Sequence, residues 1–460
     1  MKRSADKVTD LVVSYIGGGS RGWARGLMSD LAKEATLSGT VRLYDTDRQA
    51  ADDNVKIGNS LRGRKDVAGD WVYKATDSLK EALQGANFVI ISILPGTFLE
   101  MRSDVHAPEQ YGIYQSVGDS AGPGGIVRAL RTIPMYVTIA EAIKEYCPQA
   151  WVINYTNPMT MCVRTLYRVF PGIKAFGCCH EVFGTQKLLK KMVEEKLEVE
   201  TVLREDIKVN VAGVNHFTWL DSARYKGLDL IELYREFVAK YKDTGYEGAE
   251  KGQWMNNTFV SCEKVKFDLF SRYGVIAAAG DRHLAEFVPS SWYLKDPETV
   301  KAWGFSLTSV DWRMEDLNKR LEKSRRLLNN EEQFELLETG EDGVKQIKAL
   351  VGFEDLVTNV NLPNYGQMTD IPVGAVVETN ALFTDDRVMP VSSGRLPDPV
   401  LALVHRQVMN QETVVEGALR GDYEMVFRAF VNDPLVNISL SDSRKLFNQM
   451  LDNTRAYLKG

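Results

Sequence analysis

The sequence predicts an α/β protein, in which a Rossmann-like, doubly wound parallel sheet carries a second, mixed α+β domain packed on it. Residues 11–17 form a buried strand that runs directly into a glycine-rich loop. Short apolar strands then alternate with helical segments, which is the pattern of a parallel sheet. Polar residues follow several of these strands, and ligands of such sheets bind beyond the carboxyl ends of the strands.

The individual elements follow from the hydrophobic pattern. The run NFVIISIL at residues 87–94 is mostly apolar and rich in β-branched side chains, as expected of a central parallel strand. The remaining elements of this half are strands predicted at residues 11–17, 41–44, 150–154 and 173–178, and helices predicted at residues 23–35 and 133–146. We therefore expect a Rossmann-like domain over residues 1–195.

Beyond residue 195 the pattern changes, and we assign residues 196–460 to the second domain. The predicted elements there are a strand at 207–212, helices at 230–241, 314–328 and 441–458, and a loop-rich, proline-containing segment at 361–398. We expect this α+β domain to complete the site that the first domain begins.

Composition and charge exclude several classes of protein. The chain has 460 residues, of which 44% are hydrophobic and 26% charged, as in soluble proteins of more than one domain. Its net charge of −6 provides no basic field for nucleic acid or an anionic membrane, and its longest apolar run is too short to cross a bilayer. Five cysteines and an N-terminal segment without an apolar stretch favour a reducing, cytoplasmic location. We expect a homo-oligomer.

The glycine-rich loop is a candidate nucleotide site. Gly17, Gly19 and Gly22 fit the G-x-G-x-x-G pattern between a strand and a helix, where backbone and helix N-terminus meet a pyrophosphate. Asp45 follows Gly22 by 23 residues at a strand end, and its charge favours NAD over NADP. The alternative is a glycine-rich turn that binds no cofactor. The other residues that we expect at the cofactor are Ser20 in the loop and Pro95 after the central strand.

A second candidate site combines sulfur and imidazole. Cys178, Cys179 and His180 follow a predicted strand, and His216 lies downstream after an asparagine. A thiolate with an imidazole suits a first-row divalent metal, and two protein ligands leave positions for substrate oxygens. From the residues alone, Cys179 and His216 are as well explained by burial as by ligation, and Cys178 is better explained as a core residue.

Several stretches resemble a known family. IGGGSRGW, GCCHEVFG, GVNHFTWL and AAGDRHLAEF, spread over about the first 300 residues, resemble family 4 of the glycoside hydrolases, the NAD- and manganese-dependent glycosidases. VGDSAGPGGIVRALRTIP, WVINYTNPMT and GDRHLAEF are similar to the α-galacturonidases of that family. The resemblance implies a saccharide substrate that carries a uronic acid.

The resemblance also implies site residues. Cys179 and His216 correspond to the metal ligands of the family, Asn157 to a substrate contact, and Asp281 to a catalytic aspartate. Asp281 then either transfers a proton or orients His216, and His180 is a catalytic or metal-site partner. We add Tyr273, eight residues before Asp281, as a candidate base, although this tyrosine is equally well explained by packing.

The chemistry that the resemblance implies is a redox-assisted elimination. NAD takes hydride from C3 of the sugar, a base removes the C2 proton, and the C1 leaving group departs. Water then adds, and the hydride returns to C3. Mn²⁺ or another divalent metal acts as a Lewis acid at the sugar oxygens. NAD is therefore recycled rather than consumed.

A uronic acid needs a carboxylate-binding group, and the guanidinium fork of arginine matches a carboxylate. Arg282 is the first candidate, followed by Arg131 and Arg128 after a loop at residues 122–125. For the latter pair, a solvated helix face or a phosphate contact is an alternative. Asp119 lies in the same stretch, as a substrate contact or a turn residue.

Three other functions stay open at this point. An NAD-dependent 2-hydroxy-acid dehydrogenase would share the sheet but needs a His–Asp proton relay and no metal. A protein that senses NAD without catalysis would need the loop alone. A family 4 glycosidase for another α-glycoside or a 6-phosphoglycoside would keep the same cofactors, with arginines facing phosphate.

Overall fold

A ten-stranded sheet forms the centre of the structure, a computed structural model that describes residues 1–246 and 261–458. The strands of the chain are β1 (Lys2–Arg3), β2 (Val8–Ile16), β3 (Leu37–Tyr44), β4 (Asp70–Ala75), β5 (Phe88–Ile91), β6 (Trp151–Asn154), β7 (Lys174–Gly177), β8 (Ile207–Val214), β9 (Phe217–Tyr225), β10 (Leu228–Asp229), β11 (Ile276–Ala277), β12 (Leu356–Pro363), β13 (Val376–Thr384) and β14 (Arg387–Pro390).

Six strands of this sheet are parallel and lie in the order β4-β3-β2-β5-β6-β7. The direction of winding reverses between β2 and β5, which opens a crevice at their carboxyl ends where dinucleotides bind in such folds. The four residues of β5 are all buried, as a central strand covered on both faces requires. The predicted Rossmann-like fold is confirmed.

The helices cover this sheet and build the second region. They are α1 (Trp23–Lys33), α2 (Arg48–Asn59), α3 (Leu79–Leu83), α4 (Phe98–His106), α5 (Gly122–Tyr146), α6 (Met159–Val169), α7 (Glu181–Leu197), α8 (Ile231–Tyr241), α9 (Lys264–Tyr273), α10 (Asp281–Leu284), α11 (Ser290–Tyr293), α12 (Pro297–Ala302), α13 (Val310–Leu328), α14 (Gly343–Leu350), α15 (Asp398–Arg420), α16 (Tyr423–Val431) and α17 (Leu440–Thr454). The stretch 122–125, expected as a loop, is the first turn of α5.

Two features of the second region position the site. Strands β8 to β11 form a separate four-stranded antiparallel sheet. Strands β12, β13 and β14 instead extend the large sheet beyond β7 in antiparallel fashion. The second region therefore contributes strands to the first sheet as well as packing on it, and the boundary between residues 195 and 196 stays a prediction.

The expectation of a loop-rich segment at residues 361–398 is wrong where β12, β13 and β14 form. The prediction fails because the first two of these strands contain buried polar residues. Asn359, Asn361 and Glu378 are all buried there, so the apolar pattern that identifies a strand is interrupted. Among the described residues, no helix combines the length and the apolar content that crossing a membrane requires.

A buried ion pair fixes the loop after β5 against α4 and α5. Arg131 is 0% exposed, and its Nη1 donates to Asp104 Oδ1 at 2.9 Å, while its Nη2 donates to the other carboxylate oxygen. Its Nε donates to the carbonyl of Pro95 at 2.9 Å. The Arg131 guanidinium, which the sequence predicted to contact substrate, thus donates to the protein from each of its three nitrogens.

Replacing Arg131 by methionine should lower the free energy of unfolding by about 3–5 kcal/mol, because Asp104 would be left as a buried, unpaired charge. The measurement is urea unfolding followed by circular dichroism. Arg444→Met is the matched control, since Arg444 pairs with Glu424 at the surface and should cost less than about 1 kcal/mol. Equal losses in the two variants would contradict the structural role of Arg131.

Candidate active site

The glycine-rich loop owes its shape to close backbone contact. Gly17 has a φ of +96°, and a Cβ at this position would lie 1.9 Å from the carbonyl oxygen of Ser92, just after β5. The Gly19 amide donates to Asp45 Oδ2 at 2.8 Å. Asp45 therefore binds the loop directly and lies beside it at the end of β3, where the ribose of a dinucleotide is expected.

The other two predicted cofactor residues also border the crevice between β2 and β5. The Ser20 hydroxyl accepts a hydrogen bond from the Trp23 amide at 3.1 Å, at the start of α1. Pro95 lies in the loop after β5, where its carbonyl binds Arg131. The N-terminus of α1 thus lies at the crevice with Ser20 beside it, a position that suits a pyrophosphate.

Three side chains with metal-ligand chemistry converge near this crevice. The donor atoms of Asp119, His216 and His283 lie within 4.8 Å of one another. The two imidazoles stack with their centroids 3.7 Å apart, and the Ser120 hydroxyl lies 3.0 Å from His216 Nδ1. His216 occupies the tight connection between β8 and β9 with a φ of +65°, an uncommon conformation for a residue with a side chain.

The environment keeps His216 ready for ligation. Burial lowers its pKa to about 3, and the neighbouring His283 adds to this effect, while Asp119 opposes it. The imidazole is therefore neutral at physiological pH, and only a neutral imidazole binds a metal ion.

Cys179 borders this cluster but does not belong to the group of three. The residue follows β7 and is 7% exposed, and its carbonyl accepts a hydrogen bond from Asn359 Nδ2 at 3.1 Å. Burial raises the pKa of its thiol, Glu378 and Glu181 raise it further, and the side chain of Asn215 lowers it. The thiol thus lies next to the residue that precedes His216.

The donor set fits a divalent metal ion. A carboxylate, two imidazoles and a nearby thiol are ligands that first-row metals accept. Within the described ranges, three buried polar atoms around the cluster have no hydrogen-bond partner, namely Asn157 Oδ1, Asn215 Oδ1 and His283 Nδ1. Buried polar groups are normally satisfied, so these atoms are suited to a bound ion or ligand.

Asn157 connects the cluster to the large sheet. Its Nδ2 donates to Asp119 Oδ2 at 3.2 Å, and its carbonyl accepts from Arg128 Nε at 3.0 Å. Asn157 follows β6, so the carboxyl end of a central strand holds Asp119. Asn157 and Asp119, both predicted to contact substrate, are brought together with His216.

His180 links the cluster side to the nucleotide side. Its Nδ1 lies 2.8 Å from Glu341 Oε1, and its ring stacks on Trp23 with centroids 6.0 Å apart. The adjacent Glu181 accepts from the Gly280 amide at 2.8 Å and lies 3.8 Å from His283 Nε2. His180 is therefore held between the two sites.

Sequence reasoning missed three of these residues: Glu181, His283 and Glu341. The signal for the first two was present, because they lie inside the stretches GCCHEVFG and AAGDRHLAEF. Glu341 carries no such signal, since it meets His180 from 161 residues further along the chain.

Three residues predicted for the site, Arg282, Asp281 and Tyr273, make contacts outside the metal-ligand group. Arg282 donates to the carbonyls of Ser306 at 2.9 Å and Ser116 at 2.7 Å, and also to Thr308. Its guanidinium therefore ties two loops together, beside the segment that carries Asp119.

Asp281 lies buried at the start of α10, and Tyr273 lies partly buried at the end of α9. Asp281 is 0% exposed and accepts from the Lys266 amide at 3.0 Å, and burial raises its pKa to about 7. Tyr273 meets Trp219 edge-on with centroids 5.9 Å apart. The described contacts place His283, rather than either of these residues, beside His216.

The chain is similar to proteins of a known family over most of its length. Residues 12–195 match the sequence model of family 4 glycosyl hydrolases, and residues 211–436 match its C-terminal domain. The chain is 66% identical to an α-galacturonidase of Thermoanaerobacterium saccharolyticum over 460 residues, 100% of this chain and 99% of the relative. It is 53% identical to an α-galacturonidase of Bacillus subtilis over 439 residues, 95% and 96% of the two chains.

A solved structure shares the whole fold. The crystal structure of lplD from Bacillus subtilis superposes with a TM-score of 0.91 at 52% identity, covering 96% of this chain and 100% of that one. Together the fold, the site and these matches define a glycosidase built on a Rossmann-like sheet. The chain belongs to family 4 of the glycosyl hydrolases.

Gly17→Ala should weaken NAD binding by about 10- to 100-fold, because the added methyl group meets the Ser92 carbonyl and alanine at this positive φ costs about 1–3 kcal/mol of strain. Fluorescence titration with NAD measures this affinity. Gly63→Ala is the control, since Gly63 also has a positive φ, of +78°, but nothing lies within 4 Å of its added Cβ. A normal NAD affinity in Gly17→Ala would count against the loop as the nucleotide site.

His216→Ala should weaken Mn²⁺ binding by more than about 100-fold, because it removes a buried, neutral imidazole from the donor set. Isothermal titration calorimetry with the metal alone measures this change. His405→Ala removes an exposed histidine and should leave Mn²⁺ affinity unaltered. Equal Mn²⁺ affinity in both variants would rule out ligation by His216.

Proposed function

We propose that this chain hydrolyses α-linked galacturonides, such as short oligogalacturonates. The observation that carries the proposal is its similarity to four proteins described as α-galacturonidases, at 53–66% identity over at least 95% of this chain. Motifs of the site lie inside the regions that these relatives share. A soluble, cytoplasmic homo-oligomer acting on a small saccharide is part of the same proposal.

Two bound groups would serve the reaction. The glycine-rich loop with Asp45 and Pro95 would hold NAD, and His216, Asp119 and Cys179 would hold Mn²⁺ or another divalent ion, with His283 close by. When bound at these residues, NAD would supply a reversible hydride acceptor for sugar C3, and the metal ion would supply positive charge for the sugar oxygens. The C2 proton is removable only while C3 is a ketone.

The chain itself must bind the sugar, hold protons and exclude water. Asn157 presents an unpartnered Oδ1 beside Asp119, so it can accept a hydrogen bond from a sugar hydroxyl. His283 has an unpartnered Nδ1 and stacks on His216, which makes this atom suited to hold the proton removed from C2. His180, held by Glu341, is the candidate for moving a proton at the leaving group.

The two residues predicted earlier for catalysis then have supporting roles in this proposal. Asp281 lies two residues before His283 and fixes the start of α10 through the Lys266 amide. Tyr273, packed on Trp219, stabilises the sheet that carries His216. We assign neither of them to the reacting carbon.

Hydrolysis of di-galacturonate in D₂O should place deuterium at C2 of the released galacturonate, because elimination requires removal of that proton. Mass spectrometry and NMR of the product measure its incorporation. The matched control is galacturonate incubated in D₂O with the Cys179→Ser variant, where no glycosidic bond is cleaved. Hydrolysis that proceeds with a fully protonated C2 would overturn the elimination mechanism, and net formation of NADH would favour a dehydrogenase.

A further inference from the structure

Arg128 is a buried arginine with an incomplete set of partners. Its side chain lies in α5 and the residue is 6% exposed. Within residues 1–246 and 261–458, its guanidinium makes one hydrogen bond, from Nε to the Asn157 carbonyl at 3.0 Å. Its two terminal nitrogens therefore have no acceptor in the described protein.

The comparison with Arg131, one helical turn further along α5, shows what is missing. Arg131 is also buried, and it forms a bidentate pair with Asp104. A buried guanidinium is normally paired, because desolvation of an isolated charge is costly. Within the described residues Arg128 forms no such ion pair, because the carboxylates that raise its pKa, those of Asp119 and Asp104, lie beyond ion-pair distance.

Arg128 lies at the substrate side of the cluster. It bonds to Asn157, which bonds through its side chain to Asp119, a member of the metal-ligand group. Its terminal nitrogens are thus close to the place where a sugar would contact Asn157. A ligand there that brings a carboxylate would supply the missing acceptors.

A second guanidinium increases the positive charge at this place. Burial lowers the pKa of Arg313 on α13, Asp119 opposes this shift, and Arg128 adds to it. Arg313 and Arg128 therefore interact electrostatically with each other and with Asp119. Around Asp119 the chain concentrates positive charge, although its overall charge is −6.

We propose that Arg128 binds the carboxylate of the galacturonide ring end-on through its two terminal nitrogens, with Arg313 adding to the positive potential. The inference rests on the proposed galacturonidase activity and assigns its substrate selectivity to one residue. A planar fork with two adjacent donors matches the two oxygens of a carboxylate. Arg282 and Arg131, the other two arginines that the sequence offered for this role, use their donors within the protein.

The test compares Arg128→Gln and Arg128→Lys with the wild-type holoenzyme, loaded with NAD and Mn²⁺. The three substrates are matched aryl α-glycosides of galacturonic acid, galactose and galactose 6-phosphate. We expect Arg128→Gln to lower kcat/KM for the galacturonide by about 10- to 100-fold, mainly through KM, while the galactoside value stays the same or rises. Arg128→Lys keeps the charge but loses the guanidinium fork. Its kcat/KM for the galacturonide should therefore lie between those of the wild type and of Arg128→Gln.

Binding measurements separate selectivity from folding. Calorimetry should show weaker binding of free galacturonate to Arg128→Gln, with NAD affinity unchanged. Arg164→Gln is the matched control, because Arg164 pairs with Glu412 away from the cluster. This control should retain the wild-type ratio between galacturonide and galactoside.

The outcomes distinguish this inference from the proposed function. If the wild type hydrolyses none of the galacturonides, the proposed function fails whatever Arg128 does. If the wild type hydrolyses the galacturonide but Arg128→Gln loses galacturonide and galactoside in equal proportion, the residue supports only the fold and the carboxylate role is overturned. Preference of the wild type for the 6-phosphate would assign the arginine to phosphate and overturn the inference as well.

Discussion

The hydrogen bond between Asn157 and Asp119 joins the parallel sheet to the metal-ligand cluster. Asn157 follows β6, whereas His216 and His283 come from the second region, so this bond connects parts of the chain that fold as different layers. Dinucleotides bind at the same edge of such sheets. In the proposed reaction, a hydride acceptor and a metal ion would both act on one sugar ring, and the bond from Asn157 to Asp119 ties the cluster to this edge of the sheet.

The segment that carries Asp119 is fixed by the stretch GDRHLAEF rather than by its own secondary structure. Glu286 accepts from the Val117 and Gly118 amides at 2.7 and 2.9 Å, and Arg282 donates to the Ser116 carbonyl at 2.7 Å. The same stretch delivers His283 to the cluster. One short stretch therefore positions both the carboxylate and one imidazole of the cluster.

The parts of the fold that depend on local sequence were predictable, and those that depend on distant partners were not. Strand β5 is apolar on both faces, and Gly17 follows β2 directly, so pattern and spacing identified both. Strands β12 and β13 were missed because Asn359 and Glu378 are buried polar residues that satisfy each other across the pair, at 2.7 Å. Which arginine keeps unpaired donors depends on partners such as Asp104, and no spacing in the sequence reveals them.

Two carboxyl groups of the site, the partly buried Asp119 and the buried Glu378, have pKa values shifted in opposite directions. Burial raises the pKa of Asp119, but His216, His283 and Arg128 outweigh it and hold the pKa well below its usual range. Burial raises the pKa of Glu378 to about 7, although Asn359 and Asn215 donate to it. Asp119 is therefore an anion that can ligate a cation, whereas burial favours the neutral form of Glu378 beside Cys179.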